Sequence, residues 1–127
     1  MAKVFLDANI FIDIIEKRAS TAIEDFREHI LFISPLSIHI LTYTYKYKIP
    51  DKKLDGLEKL YNLVAYDLPI VLNSLTGPTN DFEDNVQLHS AAQTDCDFFL
   101  TSDVKLLKLK FFGKVKIESG LSLDPNL

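Results

Sequence analysis

The stretch Val4-Phe5-Leu6-Asp7-Ala8-Asn9 decides the fold of this 127-residue chain. It is a short apolar run that ends in a carboxylate and then an amide, a pattern typical of a buried strand leading into a helix. We therefore predict a strand that ends at Asp7, followed by a helix that Asn9 caps. Open α/β sheets bind ligands beyond the carboxyl ends of their strands, so Asp7 stands where such folds place their chemistry. On this stretch alone, a simple turn or capping role for Asp7 fits equally well.

The composition, 47% hydrophobic and 25% charged, is typical of a globular protein. Its length predicts a single domain spanning residues 1–127. Cys96 is the only cysteine, which excludes an internal disulfide and favours a reducing, cytoplasmic location. The sequence shows neither a signal peptide nor an apolar run of the ~20 residues that a membrane helix needs, so we expect no membrane partner.

The charges are distributed unevenly along the chain. The net charge is −4, and no Lys or Arg occurs between Lys59 and Lys105. The same interval holds seven acidic residues, which are Asp67, Asp81, Glu83, Asp84, Asp95, Asp97 and Asp103. Like charges repel unless a positive charge lies among them. The interval therefore forms either a solvated acidic face or a cation site, and the composition leaves both open.

Apolar runs and helical periodicities alternate along the chain. We predict strands at residues 4–6, 30–33, 64–68, 97–101 and 115–117. We predict helices at 10–18, from Ser20 or Thr21 onward, at 36–47, 51–63, 69–76, 79–94 and 104–109, and a tail from Ser119. Residues 36–47 also carry strand-forming side chains, but Pro35 and the length of the segment favour a helix. This alternation predicts a three-layer α/β/α domain with a parallel sheet of about five strands.

Two of the predicted strands end in an aspartate, at Asp7 and at Asp103. If these strands are neighbours they lie ~5 Å apart, so both carboxylates can point into one crevice. Asp81 and Asp84 share one face of the helix that leads into the later strand. Several carboxylates in one crevice need either raised pKa values or a neutralising cation, and Mg²⁺ or Mn²⁺ prefers oxygen ligands.

Other site chemistries lack their motifs. The three histidines are scattered, and no glycine-rich phosphate loop or nucleophile elbow occurs. A metal held by carboxylates, without a nucleotide loop, points to hydrolysis of a phosphodiester bond. Thr101 and Ser102 have hydroxyls that can hold a metal-bound water or a phosphate oxygen, or can simply bond the end of the strand.

Three stretches resemble PIN domains, and in particular VapC-like toxins. They are Val4-Phe5-Leu6-Asp7-Ala8-Asn9, Asp81-Phe82-Glu83-Asp84-Asn85-Val86 and Cys96-Asp97-Phe98-Phe99-Leu100-Thr101-Ser102-Asp103. The resemblance implies a PIN-like fold with a five-stranded parallel sheet. It also implies an endoribonuclease that depends on Mg²⁺ or Mn²⁺ and cuts RNA. For the toxin branch it implies a homodimer that a small antitoxin protein silences.

The resemblance also implies roles for particular residues. Asp7, Asp84 and Asp103 correspond to the catalytic, metal-binding acids, and Asp81 to a further metal ligand. Asn9, Thr101 and Ser102 correspond to polar positions that orient the acids. Lys46, Lys48 and Lys105 are candidate RNA contacts, although exposed lysines of this kind can equally serve solubility.

The sequence departs from the family at one position. PIN domains normally carry a further acid, usually Glu, on the helix after the second strand, where this chain has Ile40 and no acid from residue 30 to residue 50. Loss of that carboxylate weakens metal binding, so a degenerate PIN-fold module that binds RNA or an antitoxin-like partner without turnover stays open. A phosphotransfer receiver or a haloacid-type phosphatase also stays open from the residues alone.

Overall fold

The computed structural model describes residues 1–18 and 23–121. Its strands are β1 (Lys3–Leu6), β2 (Ile30–Ile33), β3 (Asn62–Leu63), β4 (Phe98–Leu100), β5 (Phe111–Phe112) and β6 (Val115–Glu118). Its helices are α1 (Ala8–Ile15), α2 (Pro35–Thr44), α3 (Leu57–Leu60), α4 (Leu68–Ser74), α5 (Phe82–Gln93) and α6 (Val104–Leu107). Two 3₁₀ turns lie at Ile23–Phe26 and Lys52–Leu54. The predicted α/β class is confirmed.

The central strand of the sheet is β1. Within the described residues, six strands form one sheet in the order β3-β2-β1-β4-β6-β5. β1 pairs in parallel with β2 and β4, and the pairs β2–β3 and β4–β6 are also parallel. The carboxyl ends of these five strands therefore meet at one edge of the sheet, where Asp7 follows β1 and Asp103 follows β4.

The side chains of β1 alternate between two core layers, as a strand buried on both faces requires. Val4 and Leu6 belong to a cluster with α1, α2 and α3, which includes Phe11, Ile33, Leu41, Leu57 and Tyr61. Phe5 belongs to the opposite cluster with α4, α5 and α6, which includes Ile70, Val86, Leu88, Phe99 and Leu106. Helices thus cover both faces of the sheet, and the three-layer α/β/α architecture is confirmed.

The predicted cap of the first helix was wrong by two residues. α1 begins at Ala8, and its N-cap is Asp7, whose Oδ1 accepts a hydrogen bond from the backbone N of Ala8 at 2.9 Å. Asp and Asn are equally good N-cap residues, and Asp7 comes before Asn9 along the chain, so the helix begins after Asp7. α1 also ends at Ile15 rather than at Arg18, because Lys17 adopts a positive φ of 52°.

The predicted helix 51–63 was also wrong. Asp51 caps only the 3₁₀ turn, and Gly56, with φ of 74°, separates this turn from the four-residue α3. The strand predicted at 64–68 lies two residues earlier, as β3. Asp67 caps α4 by accepting a hydrogen bond from the backbone N of Ile70 at 3.2 Å, so the chain has already left the sheet.

The sheet contains one strand that the sequence analysis missed. β5 pairs antiparallel with β6, with Phe112 opposite Val115. Gly113 adopts φ of 60° in the tight connection. The sequence signal for β5 was the pair Phe111-Phe112 directly before Gly113. Two residues are few for a strand, but an aromatic pair before a glycine is typical of a hairpin.

Two predictions fall partly on residues outside the described ranges. These are the start of a helix at Ser20 or Thr21 and the part of the C-terminal tail beyond residue 121. Among the helices of residues 1–18 and 23–121, none combines the length and the hydropathy that crossing a bilayer requires.

The first testable prediction concerns Phe99, a residue of β4 in the hydrophobic core. Phe99 is fully buried, and its ring stacks on Phe5 with the ring centroids 5.6 Å apart. Phe99→Ala should lower the free energy of unfolding by about 3–5 kcal/mol, as measured by urea denaturation. Phe111→Ala is the matched control, because the Phe111 side chain is 56% exposed, and its cost should stay within about 0.5 kcal/mol. Equal costs for the two variants would contradict the described core.

Candidate metal centre

The register of the sheet brings Asp7 and Asp103 to the same edge. Leu6 of β1 pairs with Leu100 of β4, and the backbone N of Asp7 donates to the backbone O of Leu100 at 2.9 Å. Asp103 comes three residues after Leu100 and caps α6. The sequence left open whether these two strands are neighbours, and in the structure they pair directly, as the proposed site requires.

Thr101 joins these two aspartates. The Asp7 side chain is only 4% exposed, and its Oδ2 accepts a hydrogen bond from Thr101 Oγ1 at 2.7 Å. The same Oγ1 accepts a hydrogen bond from the backbone N of Asp103 at 3.0 Å. Thr101 is itself fully buried, so its hydroxyl holds the Asp7 carboxylate in a fixed direction. Asn9 and Ser102 are exposed, and among the described residues neither side chain bonds these acids.

The other two predicted acids lie at the start of α5. Asp81 is the N-cap of this helix, and its Oδ1 accepts a hydrogen bond from the backbone N of Asp84 at 3.1 Å. Asp81 is exposed, whereas Asp84 is partly buried. The side chain of Asp84 therefore points closer to the body of the protein than that of Asp81.

The pKa values of Asp7 and Asp84 are raised in part by the charges of the other predicted acids. Burial raises the pKa of Asp7, and the charges of Asp103 and Asp81 raise it further. The hydrogen bonds from Thr101 and Ala8 lower this pKa and offset part of the increase. Burial and then the charges of Asp81, Asp7 and Asp103 raise the pKa of Asp84 to about 6. The fold thus gathers the four predicted acids within electrostatic range at one edge of the sheet.

The charge of this cluster is not balanced by basic side chains. Within residues 1–18 and 23–121, none of the four carboxylates takes part in a salt bridge. In the same ranges, no three His, Cys, Asp or Glu side chains come close enough together to hold a metal ion. The all-oxygen donor set and its unbalanced charge fit Mg²⁺ or Mn²⁺, but the oxygens are not gathered into a coordination shell in this conformation.

The helix α2 adds no acid to the cluster. Ile40 is partly buried and packs against the core on the α1 side of the sheet. α2 contacts α5 through Ser37, which is fully buried and whose Oγ accepts a hydrogen bond from Gln87 Nε2 at 3.1 Å. This contact holds α2 against the helix that carries Asp84.

The three candidate RNA-binding lysines lie in two different places. Lys105 is exposed and adjacent to the cluster, since its backbone N donates to Asp103 Oδ1 at 2.8 Å. Lys46 and Lys48 follow the far end of α2, which is roughly 15 Å long. There the Tyr47 hydroxyl bonds Glu16, at the far end of α1. Only Lys105 therefore lies beside the acids.

The raised pKa of Asp84 predicts a pH dependence of stability. The folded protein binds this proton more tightly than the unfolded chain, whose pKa is 3.8, so the free energy of unfolding falls as the pH rises from about 4 to 6. After discounting for solvent screening of this partly exposed group, the Asp84 contribution is about 1 kcal/mol. Urea denaturation of metal-free protein from pH 4 to 7 should show a flatter slope for Asp84→Asn.

Asp55→Asn is the control for that measurement, because it removes the same charge from an exposed position. A slope that Asp84→Asn leaves unchanged would contradict the placement of Asp84 among the other acids.

Comparison with known proteins identifies a similar fold. No protein-family model matches the chain, and no curated protein matches it. The chain is similar to one in the crystal structure of VapBC2 from Rickettsia felis bound to a DNA fragment from their promoter. The TM-score is 0.66 at 16% sequence identity, covering 91% of this chain and 97% of that chain. At this identity the similarity shows the fold alone, and it agrees with the predicted α/β architecture.

Proposed function

We propose that the protein is a VapC-like, metal-dependent endoribonuclease, the toxin of a toxin–antitoxin pair, which hydrolyses phosphodiester bonds in RNA. The observation that carries the proposal is the cluster of Asp7, Asp81, Asp84 and Asp103 at the carboxyl edge of a PIN-like sheet, where burial and the charges of the other acids raise the pKa values of Asp7 and Asp84. Negative charge without a basic partner suits a divalent cation and repels RNA phosphate in its absence.

The proposed roles follow from the positions of the side chains. Asp7, Asp84 and Asp103 hold Mg²⁺ or Mn²⁺, with Asp81 as a further ligand, and Thr101 fixes the direction of the Asp7 carboxylate. When bound, the ion polarises the phosphate and lowers the pKa of the attacking water. Asp84, with a pKa of about 6 in the metal-free protein, takes up a proton in mildly acidic solution. A proton and a cation therefore compete for this carboxylate, and activity falls below that pH.

Lys105 is the proposed contact with a substrate phosphate at the site, because it is exposed and adjacent to Asp103. Lys46 and Lys48 follow the far end of α2, away from the acids, so we do not propose them as contacts to the same phosphate. We propose them only as contacts to a longer stretch of RNA.

The proposed partners are an antitoxin protein and a second copy of the chain. The similar solved structure is that of a VapBC2 complex bound to promoter DNA, and this supports an antitoxin for the present chain as well. Co-expression with a neighbouring small reading frame, followed by co-purification, tests this part of the proposal.

The central test of the proposal is Asp7→Asn. The substitution keeps the size of the side chain and its capping geometry but removes a metal-binding charge, so Mg²⁺-dependent cleavage of structured RNA should fall at least about 100-fold. Asp67→Asn is the matched control, since Asp67 also caps a helix but bonds Gln93 at the far end of α5. Undiminished cleavage by Asp7→Asn would overturn the proposed metal site.

A second candidate function is supported by Ile40. An apolar side chain packs there where PIN domains normally have an acid, which favours a degenerate module that binds RNA or a partner without cutting. The two functions differ in the behaviour of the unmodified chain, because only the nuclease cleaves RNA with added Mg²⁺.

Ile40→Glu separates the two candidates further. The nuclease proposal predicts measurable cleavage by the wild type and roughly a 10-fold increase in Ile40→Glu, because a further carboxylate strengthens metal binding. Ile38→Glu is the control, since Ile38 is a neighbouring, partly buried residue of the same helix. Cleavage that is absent from the wild type and appears only in Ile40→Glu would contradict the nuclease and establish the degenerate module.

A further inference from the structure

Asn85 follows Asp84 on α5, and its side chain is only 3% exposed. Its Oδ1 accepts hydrogen bonds from the backbone N of Thr79 at 2.9 Å and from Thr79 Oγ1 at 2.6 Å. Its Nδ2 donates to the backbone O of Ser74 at 2.9 Å and of Thr79 at 3.0 Å. The buried Asn85 amide therefore makes four hydrogen bonds, two donated by Nδ2 and two accepted by Oδ1, to the chain between the end of α4 and Thr79.

A continuous path of hydrogen bonds leads from this amide to the acids. Thr79 Oγ1, which bonds Asn85, also accepts a hydrogen bond from the backbone N of Asp81 at 3.0 Å. Asp81 Oδ1 in turn accepts from the backbone N of Asp84. The Thr79 hydroxyl is therefore the link between a buried anchor and the carboxylates at the start of α5.

The connection is held at a second point from the same side of α5. His89, one turn after Asn85, places its Nε2 2.8 Å from the backbone O of Gly77. Gly77 has φ of 138°, in a stretch without regular secondary structure. Since no helix or strand fixes residues 75–80, these side-chain contacts set where the chain enters α5.

We infer that Asn85, acting through the Thr79 hydroxyl, is a positioning residue that fixes Asp81 and Asp84 opposite Asp7. The inference rests on the proposed function and adds to it a part of the site that touches neither metal nor substrate. A purely structural amide would only close the connection and hold the fold together. A positioning amide also sets the affinity for the cation, because outer partners that orient ligands typically change metal affinity roughly 10–100-fold.

The test removes the link and leaves the anchor in place. Replacement of Asn85 itself would leave several buried backbone groups unpaired, so a loss of folding would obscure the result. Thr79→Val keeps the shape of the side chain and the backbone contacts of Asn85, and removes only the hydroxyl. Titration with Mn²⁺ by calorimetry should show a Kd raised about 10-fold, with the metal-free Tm close to that of the wild type. Thr79→Ser restores the hydroxyl and should restore the wild-type Kd.

Thr76→Val is the matched control. It makes the same chemical change in the same connection, but the Thr76 hydroxyl donates only to the backbone O of Asn73, at 2.8 Å. Its Kd for Mn²⁺ should equal that of the wild type. An unchanged Kd in Thr79→Val, or equal losses in both valine variants, would overturn the inference alone. A wild-type protein that binds no Mn²⁺ and cleaves no RNA would overturn the proposed function, and the inference with it.

Discussion

The hydrogen bond from Thr101 to Asp7 is the contact on which the rest of the site depends. A carboxylate that is 4% exposed pays a large desolvation cost, and burial accordingly is the main cause of the raised pKa of Asp7. Donors from Thr101 and Ala8 offset part of that cost and fix both oxygens in direction. Because Asp7 follows β1 and Thr101 follows β4, the ends of these two strands cannot separate without breaking the contact.

The position of this contact follows from the central strand. Val4, Phe5 and Leu6 are fully buried, and their alternation requires apolar layers on both faces of the sheet. Parallel neighbours on both sides satisfy that requirement, and parallel strands bring their carboxyl ends to one edge. The same residues that decide the fold therefore also decide where the acids collect. A shift of one residue in the pairing of β1 with β4 would place the Phe5 side chain on the opposite face of the sheet. The same shift would move Asp7 away from Thr101.

Features of the site that depend on a single apolar run could be predicted from the sequence. The strand before Asp7 and the strand before Asp103 are marked by consecutive apolar residues, whereas their adjacency is known only from the strand order of the structure. Asp81 and Asp84 were predicted as a pair because they are three apart on one helix. The α/β class and the edge that carries the acids needed no contact between distant side chains to be recognised.

Two kinds of feature could not be predicted in the same way: those for which two residues are equally good candidates, and those that depend on contacts between residues distant in the sequence. Asp7 and Asn9 are both good caps, and only the geometry of the strand end decides between them. Gly56 looks like a tolerated helical glycine until its left-handed conformation divides the segment. Asn85 could not be singled out from the sequence, because its contacts are with Ser74, the last residue of α4, and with Thr79 in the connection that follows.

The absence of an acid from α2 has two opposite effects on the same cluster. Burial, and then repulsion from the neighbouring acids, already raises the pKa of Asp84 to about 6, and Ile40 adds apolar packing without a further charge. In the proposed complex with a cation, a carboxylate on α2 would add attraction, so its absence would lower the affinity for the metal. A site built in this way relies more heavily on the exact directions of the acids it keeps. The contacts around these acids come from uncharged groups: the Thr101 hydroxyl bonds Asp7, and the Thr79 hydroxyl joins Asp81 to the buried amide of Asn85.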